Sequence, residues 1–109
     1  MSRFACKCCG VDEVKDSAKA AVLSLEEALG VELIITSAYR CPKHNKAVGG
    51  VRSSRHTVNK DAFDILWPND ESRKAFIEAA VKLGFKGIGL GKTFVHLDMR
   101  LNQTIWIYK

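Results

Sequence analysis

Three polar side chains constrain the fold of this chain more tightly than its apolar residues do. His56, Asp64 and His96 stand in or beside segments that otherwise read as apolar strands, Asp61-Ala62-Phe63-Asp64-Ile65 and Phe94-Val95-His96-Leu97-Asp98. A carboxylate within such a strand is costly to bury unless it is paired or bound to a cation. Taken singly, Asp64 fits an exposed strand end and His96 a hydrogen-bonded core or surface histidine. Taken together, two imidazoles and one carboxylate are a ligand set that suits zinc and leaves a fourth position open to water. A fold that uses them must bring positions 56, 64 and 96 to one point.

The chain has 109 residues, 47% of them apolar and 27% charged, which fits a single domain spanning 1–109. A domain this small has a modest core, so a bound metal would add folding free energy. Seventeen basic against twelve acidic residues leave a formal charge of +5. That excess suits an anionic partner such as acidic cell-wall polymer, nucleic acid or a membrane surface, or simply solubility. Nothing near Met1 resembles a secretory leader, and no segment is long and apolar enough to span a bilayer. The expectation is synthesis in the cytoplasm, as a monomer, with release or delivery by other proteins if the site of action lies outside.

Helical spacing of Val14, Ala18, Ala21, Val22, Leu25, Ala28 and Leu29 predicts a helix over 12–29, with Asp12 as N-cap and Gly30 as the stop. A strand follows over 31–37, then a long loop over 40–55 carrying Pro42, Gly49 and Gly50. A second strand spans 61–66. A second helix opens at Pro68-Asn69-Asp70 and runs to about Leu83, burying Ala75, Phe76, Ala79, Ala80 and Leu83. The last quarter reads as three strands, 87–91, 93–99 and 104–108. Short connections favour antiparallel pairing, so the expected fold class is α+β, a small antiparallel sheet flanked by helices.

On the second strand Ala62 and Asp64 share one face, and Asp98 follows His96 on the same side two residues later. Asp98 is therefore the candidate general base, or else a group that orients a ligand imidazole. Arg40, at the end of the first strand, is the candidate for steadying a developing oxyanion, or a solvated loop arginine. Cys6, Cys8, Cys9 and Cys41 admit three states: a structural metal site, a bridge between the cluster and Cys41, or unpaired thiols.

These residues resemble the zinc D-alanyl-D-alanine carboxypeptidase family, peptidase family M15, and its small phage and bacterial relatives. The resemblance rests on Ser37-Ala38-Tyr39-Arg40-Cys41, on Ser54 through Asp64 against a Ser-x-His-x-x-Gly-x-Ala-x-Asp motif, and on Phe94-Val95-His96-Leu97-Asp98. It implies the fold shared with the Hedgehog signalling domain and cleavage of peptide bonds in peptidoglycan stem peptides. It also implies zinc on His56, Asp64 and His96, Arg40 at the carbonyl or oxyanion, and Ser54 holding substrate.

Two departures stand out. The motif places its aspartate seven positions after the first histidine, whereas Asp64 is eight after His56; Asn59 is the residue expected to take the missing glycine's turn. Several members carry an acid three residues before the last histidine, where this chain has Thr93. The leading expectation is a zinc peptidase of the cell wall, such as a phage lysis or virion-associated enzyme. The alternatives are a catalytically weak relative that binds cell wall, and a zinc-stabilised nucleic-acid module. The last is disfavoured because the aromatic residues are not interleaved with Lys and Arg.

Overall fold

A computed structural model describes residues 3–50, 54–67 and 73–108. In chain order the elements are α1 (Asp16–Leu29), β1 (Ile35–Ser37), α2 (Pro42–Ala47), β2 (Ala62–Leu66), α3 (Arg73–Lys82), β3 (Gly87–Leu90), β4 (Phe94–Asp98) and β5 (Thr104–Ile107). The class is α+β, as expected. Among the described residues the five strands form one sheet in the order β1-β2-β4-β3-β5.

The sheet is antiparallel apart from one pair, which corrects the all-antiparallel expectation: β5 runs parallel to β3. The physical reason lies in the edges. β4 is already paired on one side with β2 and on the other with β3, so the last strand adds to the open edge of β3. It still runs against β4, as a short connection requires.

Side-chain alternation divides the sheet into two faces. Phe63 and Ile65 of β2, Val95 and Leu97 of β4 and Ile88 of β3 are wholly buried on the core face with Ala18, Val22 and Leu25 of α1 and Phe76 and Ala80 of α3. Phe63 sits edge-on to Phe4 and Phe85, at ring separations of 5.7 and 6.3 Å. The other face carries Asp64, His96 and Asp98. Asp64 lies directly opposite His96 across β2 and β4.

Other local expectations are also corrected. Helix α1 starts at Asp16, because Asp12 turns back to accept from the Val14 backbone N–H (3.0 Å) and from Lys19 Nζ (2.7 Å). The first strand shortens to three residues, and Val31 and Glu32 are exposed. The 40–55 loop contains helix α2, with Pro42 in its first turn and the Cys41 sulfur accepting from the His44 N–H at 3.4 Å. The start of the second helix at 68–70 lies outside the described residues; its described part buries Phe76 and Ala80 but leaves Ala75 exposed. Among the described residues no helix is long and apolar enough to cross a membrane.

The extra residue between His56 and Asp64 is absorbed in a turn. Thr57 and Val58 donate to the Ser54 carbonyl, and Lys60 N–H donates to the Arg55 carbonyl at 2.8 Å. The left-handed residue is Lys60, at φ +60°, and not Asn59 as anticipated. Counted back from Asp64, Lys60 occupies the position of the motif's glycine, so the insertion falls among residues 57–59. Lys60 is held there by the Lys15 N–H on its carbonyl (2.9 Å) and by an ion pair with Glu13. A side chain in this backbone region costs about 1–2 kcal/mol, and a β-branched one more. Lys60→Gly is therefore expected to hold or raise the melting temperature, and Lys60→Val to lower stability by at least about 1–2 kcal/mol, as read by chemical denaturation.

Candidate active site

Each of the three candidate ligands is placed by a separate element. Asp64 is the middle residue of β2, His96 the middle residue of β4, and His56 arrives from the 54–60 turn. One ligand atom from each lies within 4.8 Å of the others. His56 Nε2 stands 3.4 Å from Asp64 Oδ2, and His96 Nδ1 stands 3.1 Å from Asp64 Oδ1. A tetrahedral ion with bonds of about 2.0–2.1 Å holds its ligand atoms about 3.3–3.4 Å apart, so three atoms within 4.8 Å of one another could close on one by small side-chain shifts.

The tautomers agree with that fit. His56 Nδ1 lies 2.7 Å from the Ala38 carbonyl, which can only accept, so Nδ1 carries a proton and, in the neutral ring, Nε2 keeps a lone pair. Among the described residues that buried Nε2 finds no hydrogen-bond partner. An orphaned buried nitrogen aimed at a carboxylate and a second imidazole is placed to ligate a cation. His96 is held the other way round: Nε2–H donates to Asp98 Oδ2 at 2.8 Å and Nδ1 faces Asp64.

Asp98 is fully buried behind His96. Its oxygens receive Arg100 Nε (2.8 Å) and Nη2 (2.7 Å) as well as the imidazole, and Arg55 Nε approaches to 3.6 Å. Burial alone would raise its carboxyl pKa, but the bonds from Arg100 and His96 outweigh it and hold the group well below the usual carboxylate range. Asp64 behaves alike: burial is outweighed by His56 and His96, and it stays ionised. For His96 burial favours the neutral ring, yet Asp64 and Asp98 together raise its pKa.

Arg40 lies three residues beyond β1 rather than at its end, and its guanidinium is pinned on three sides. Nε donates to Ser37 Oγ (3.0 Å), Nη1 to Asn45 Oδ1 (3.1 Å) and Nη2 to Asp64 Oδ2 (3.2 Å). Asn45 is supplied by α2, the helix hidden in the expected loop. Arg40, Ser54, His56, Asp64 and His96 all line one cleft of about 520 Å³. Asp98 does not line it, and Thr93 is exposed in the turn between β3 and β4.

The opposite wall was not anticipated. Phe94, Arg100, Trp106 and Tyr108 also line the cleft. Trp106 packs 5.3 Å from His96, Arg100 covers the Trp106 ring at 4.7 Å, and Phe94 meets Tyr108 at 5.0 Å. Trp106 lies across Gly89, where a Cβ would come within 2.6 Å of the indole. The signal was present as Trp106-x-Tyr108, two aromatics on one strand face, beside the bare Gly87-x-Gly89 face of β3.

Across residues 2–98 the sequence matches the family model described as Peptidase M15. No curated protein matches the chain.

The charge relations define a pH window for the metal-free protein. Asp64 and Asp98 have lowered folded pKa values, so their stabilisation is present above the unfolded value near 3.8 and lost as pH falls through the folded one. His96 has a raised one, so its contribution is complete below 6.5 and lost as pH rises through the folded value. Thermal melts of chelator-treated protein are expected to peak between about pH 4 and 6.5 and decline on both sides. Asp98→Asn should flatten both limbs.

Proposed function

Because the chain belongs to the peptidase M15 family, we propose that it is a zinc-dependent peptidase that hydrolyses peptidoglycan stem peptides, as a D-Ala-D-Ala carboxypeptidase or an L,D-endopeptidase. The observation that carries this reading is the convergence of His56 Nε2, the Asp64 carboxylate and His96 Nδ1 at the floor of one cleft. Peptidases of this family are generally zinc-dependent. Zinc held by these three residues would polarise the scissile carbonyl and make water a nucleophile at neutral pH.

The remaining work falls to the chain's own groups. The Ala38 carbonyl and Asp98 fix the two rings, so each presents one lone pair in one direction. Three acceptors hold the Arg40 guanidinium beside the floor, where a developing oxyanion would be stabilised. Ser54, at the cleft edge, offers a hydroxyl to the substrate backbone. The Phe94, Trp106 and Tyr108 wall suits alanine methyl groups and limits water. Asp98 acts on His96 as a positioning residue rather than on water as a base. A lysin delivered to the wall by other proteins is the role that suits this activity.

One observation favours a second reading, a relative that binds the wall but cuts it slowly. Among the described residues lining the cleft, Asp64 is the sole carboxylate, and it is committed to the cation site. Mass analysis of digested muropeptides separates the two. The peptidase reading expects new amino and carboxyl termini, lost with chelator and in His56→Ala. Wall retention without new termini would establish the second reading instead.

Arg40→Ala is expected to lower kcat by about 10²–10³-fold, the usual effect of removing one oxyanion donor. Asp98→Asn should weaken zinc affinity by about 10–100-fold and regain activity at saturating zinc. If Asp98→Asn kept its zinc affinity and lost activity, the residue would be the base after all.

A further inference from the structure

We infer that Cys6, Cys8, Cys9 and Cys41 form a separate tetrathiolate metal site, suited to zinc, that staples the N-terminal segment to the chain carrying Arg40. The four sulfurs lie within 4.8 Å of one another. Cys8 Sγ and Cys41 Sγ are 3.4 Å apart, well beyond the roughly 2.05 Å of a disulfide, and all four thiols are free. A tetrahedral zinc with Zn–S bonds of about 2.3 Å spaces its sulfurs about 3.8 Å apart, so the cluster needs only small adjustments.

The backbone around the sulfurs is built for thiolates. Cys41 N–H points at Cys6 Sγ (3.4 Å), and the amides of Cys8 and Cys9 also bond Cys6. Val11 N–H bonds Cys9, and His44 N–H bonds Cys41 Sγ at 3.4 Å. Three of the four sulfurs therefore receive N–H donors, which spread the negative charge that four thiolates bring to a divalent ion. The 6–11 segment closes on itself, with Gly10 N–H on the Cys6 carbonyl (2.9 Å) and Cys6 N–H on the Val11 carbonyl (2.7 Å). Gly10 makes that turn at φ +75°.

Packing does not account for the cluster. Cys6 is buried, but Cys8 and Cys9 are exposed, where a thiol gains nothing from the core and an ion has a way in. The site also has an address. Cys41 follows Arg40 directly and caps α2, which supplies Asn45 to that arginine. Tyr39 N–H bonds the Phe4 carbonyl (3.2 Å) and Arg40 N–H the His56 carbonyl (3.2 Å). An ion joining residues 6–9 to residue 41 thus braces the 38–41 segment, from which the Ala38 carbonyl orients His56.

The test uses the full chain purified under reducing conditions, with bound metal counted by native mass spectrometry and by cobalt(II) substitution. Two equivalents of zinc are expected, and the cobalt form should show a thiolate-to-cobalt charge-transfer band in the near ultraviolet. The double variant Cys8→Ser, Cys9→Ser changes only exposed side chains. It should lose one equivalent, the band and several degrees of melting temperature. His56→Ala should lose the other equivalent and keep the band. If His56→Ala instead keeps every equivalent while the cysteine variant loses its own, the cysteine site stands and the peptidase reading falls. An absent band, metal content unchanged by the double variant, or a Cys8–Cys41 disulfide under reducing conditions would overturn the inference.

Discussion

Asp64 and His96 face each other across the β2–β4 ladder, and the rest of the molecule is arranged around the need to keep them there. A carboxylate and an imidazole on a central strand pair are tolerable only if something neutralises and orients them. The sheet meets that demand by dividing its faces. Phe63, Ile65, Val95 and Leu97 anchor the same two strands in the core, so neither strand can slip without exposing them. The third member, His56, comes from a turn rather than a strand. Its direction is set by one backbone acceptor, the Ala38 carbonyl.

Around this centre the structure places layers of fixed charge. Asp98 holds His96 from behind, Arg100 neutralises Asp98, and the same guanidinium rests on Trp106. On the other side Arg40 joins Asp64 to Ser37 and Asn45. Each buried ionised group has a hydrogen-bonded partner of opposite charge, the condition under which buried charge is tolerated. Side chains held in this way have little freedom to turn away from one another.

Asp64 and His96 stand out in the sequence because a polar residue in an apolar strand demands an explanation, and the structure brings both together with His56. The two larger helices, the core of α1 and the α+β class followed from periodicity, and Gly30 marked its helix end correctly. What escaped depended on three-dimensional context. Helix α2 is six residues long, too short for a periodic signal, and its cap is a cysteine, an uncommon choice. The parallel seat of β5 depended on which edges earlier strands had left open. Strand alternation gives a side and not a depth, so the sequence left Asp98 open between two roles; the structure buries it fully and bonds it to His96 Nε2. The positive φ fell on Lys60 because the backbone bonds of Arg55 and Lys15 fix that residue, a constraint that residue preference for the left-handed region does not weigh.

The connection from Met99 to Gln103 carries a further consequence. It sets the phase of β5, and with it which side chains form the aromatic wall. Trp106 and Tyr108 alternate with Ile105 and Ile107, both of which are largely exposed. Lengthening or shortening this connection by one residue would exchange the two sets and present isoleucines to His96. A change of two would restore the pattern. Length variation at this corner is thus governed by parity: even steps preserve the aromatic lining, and odd steps replace it with an aliphatic one.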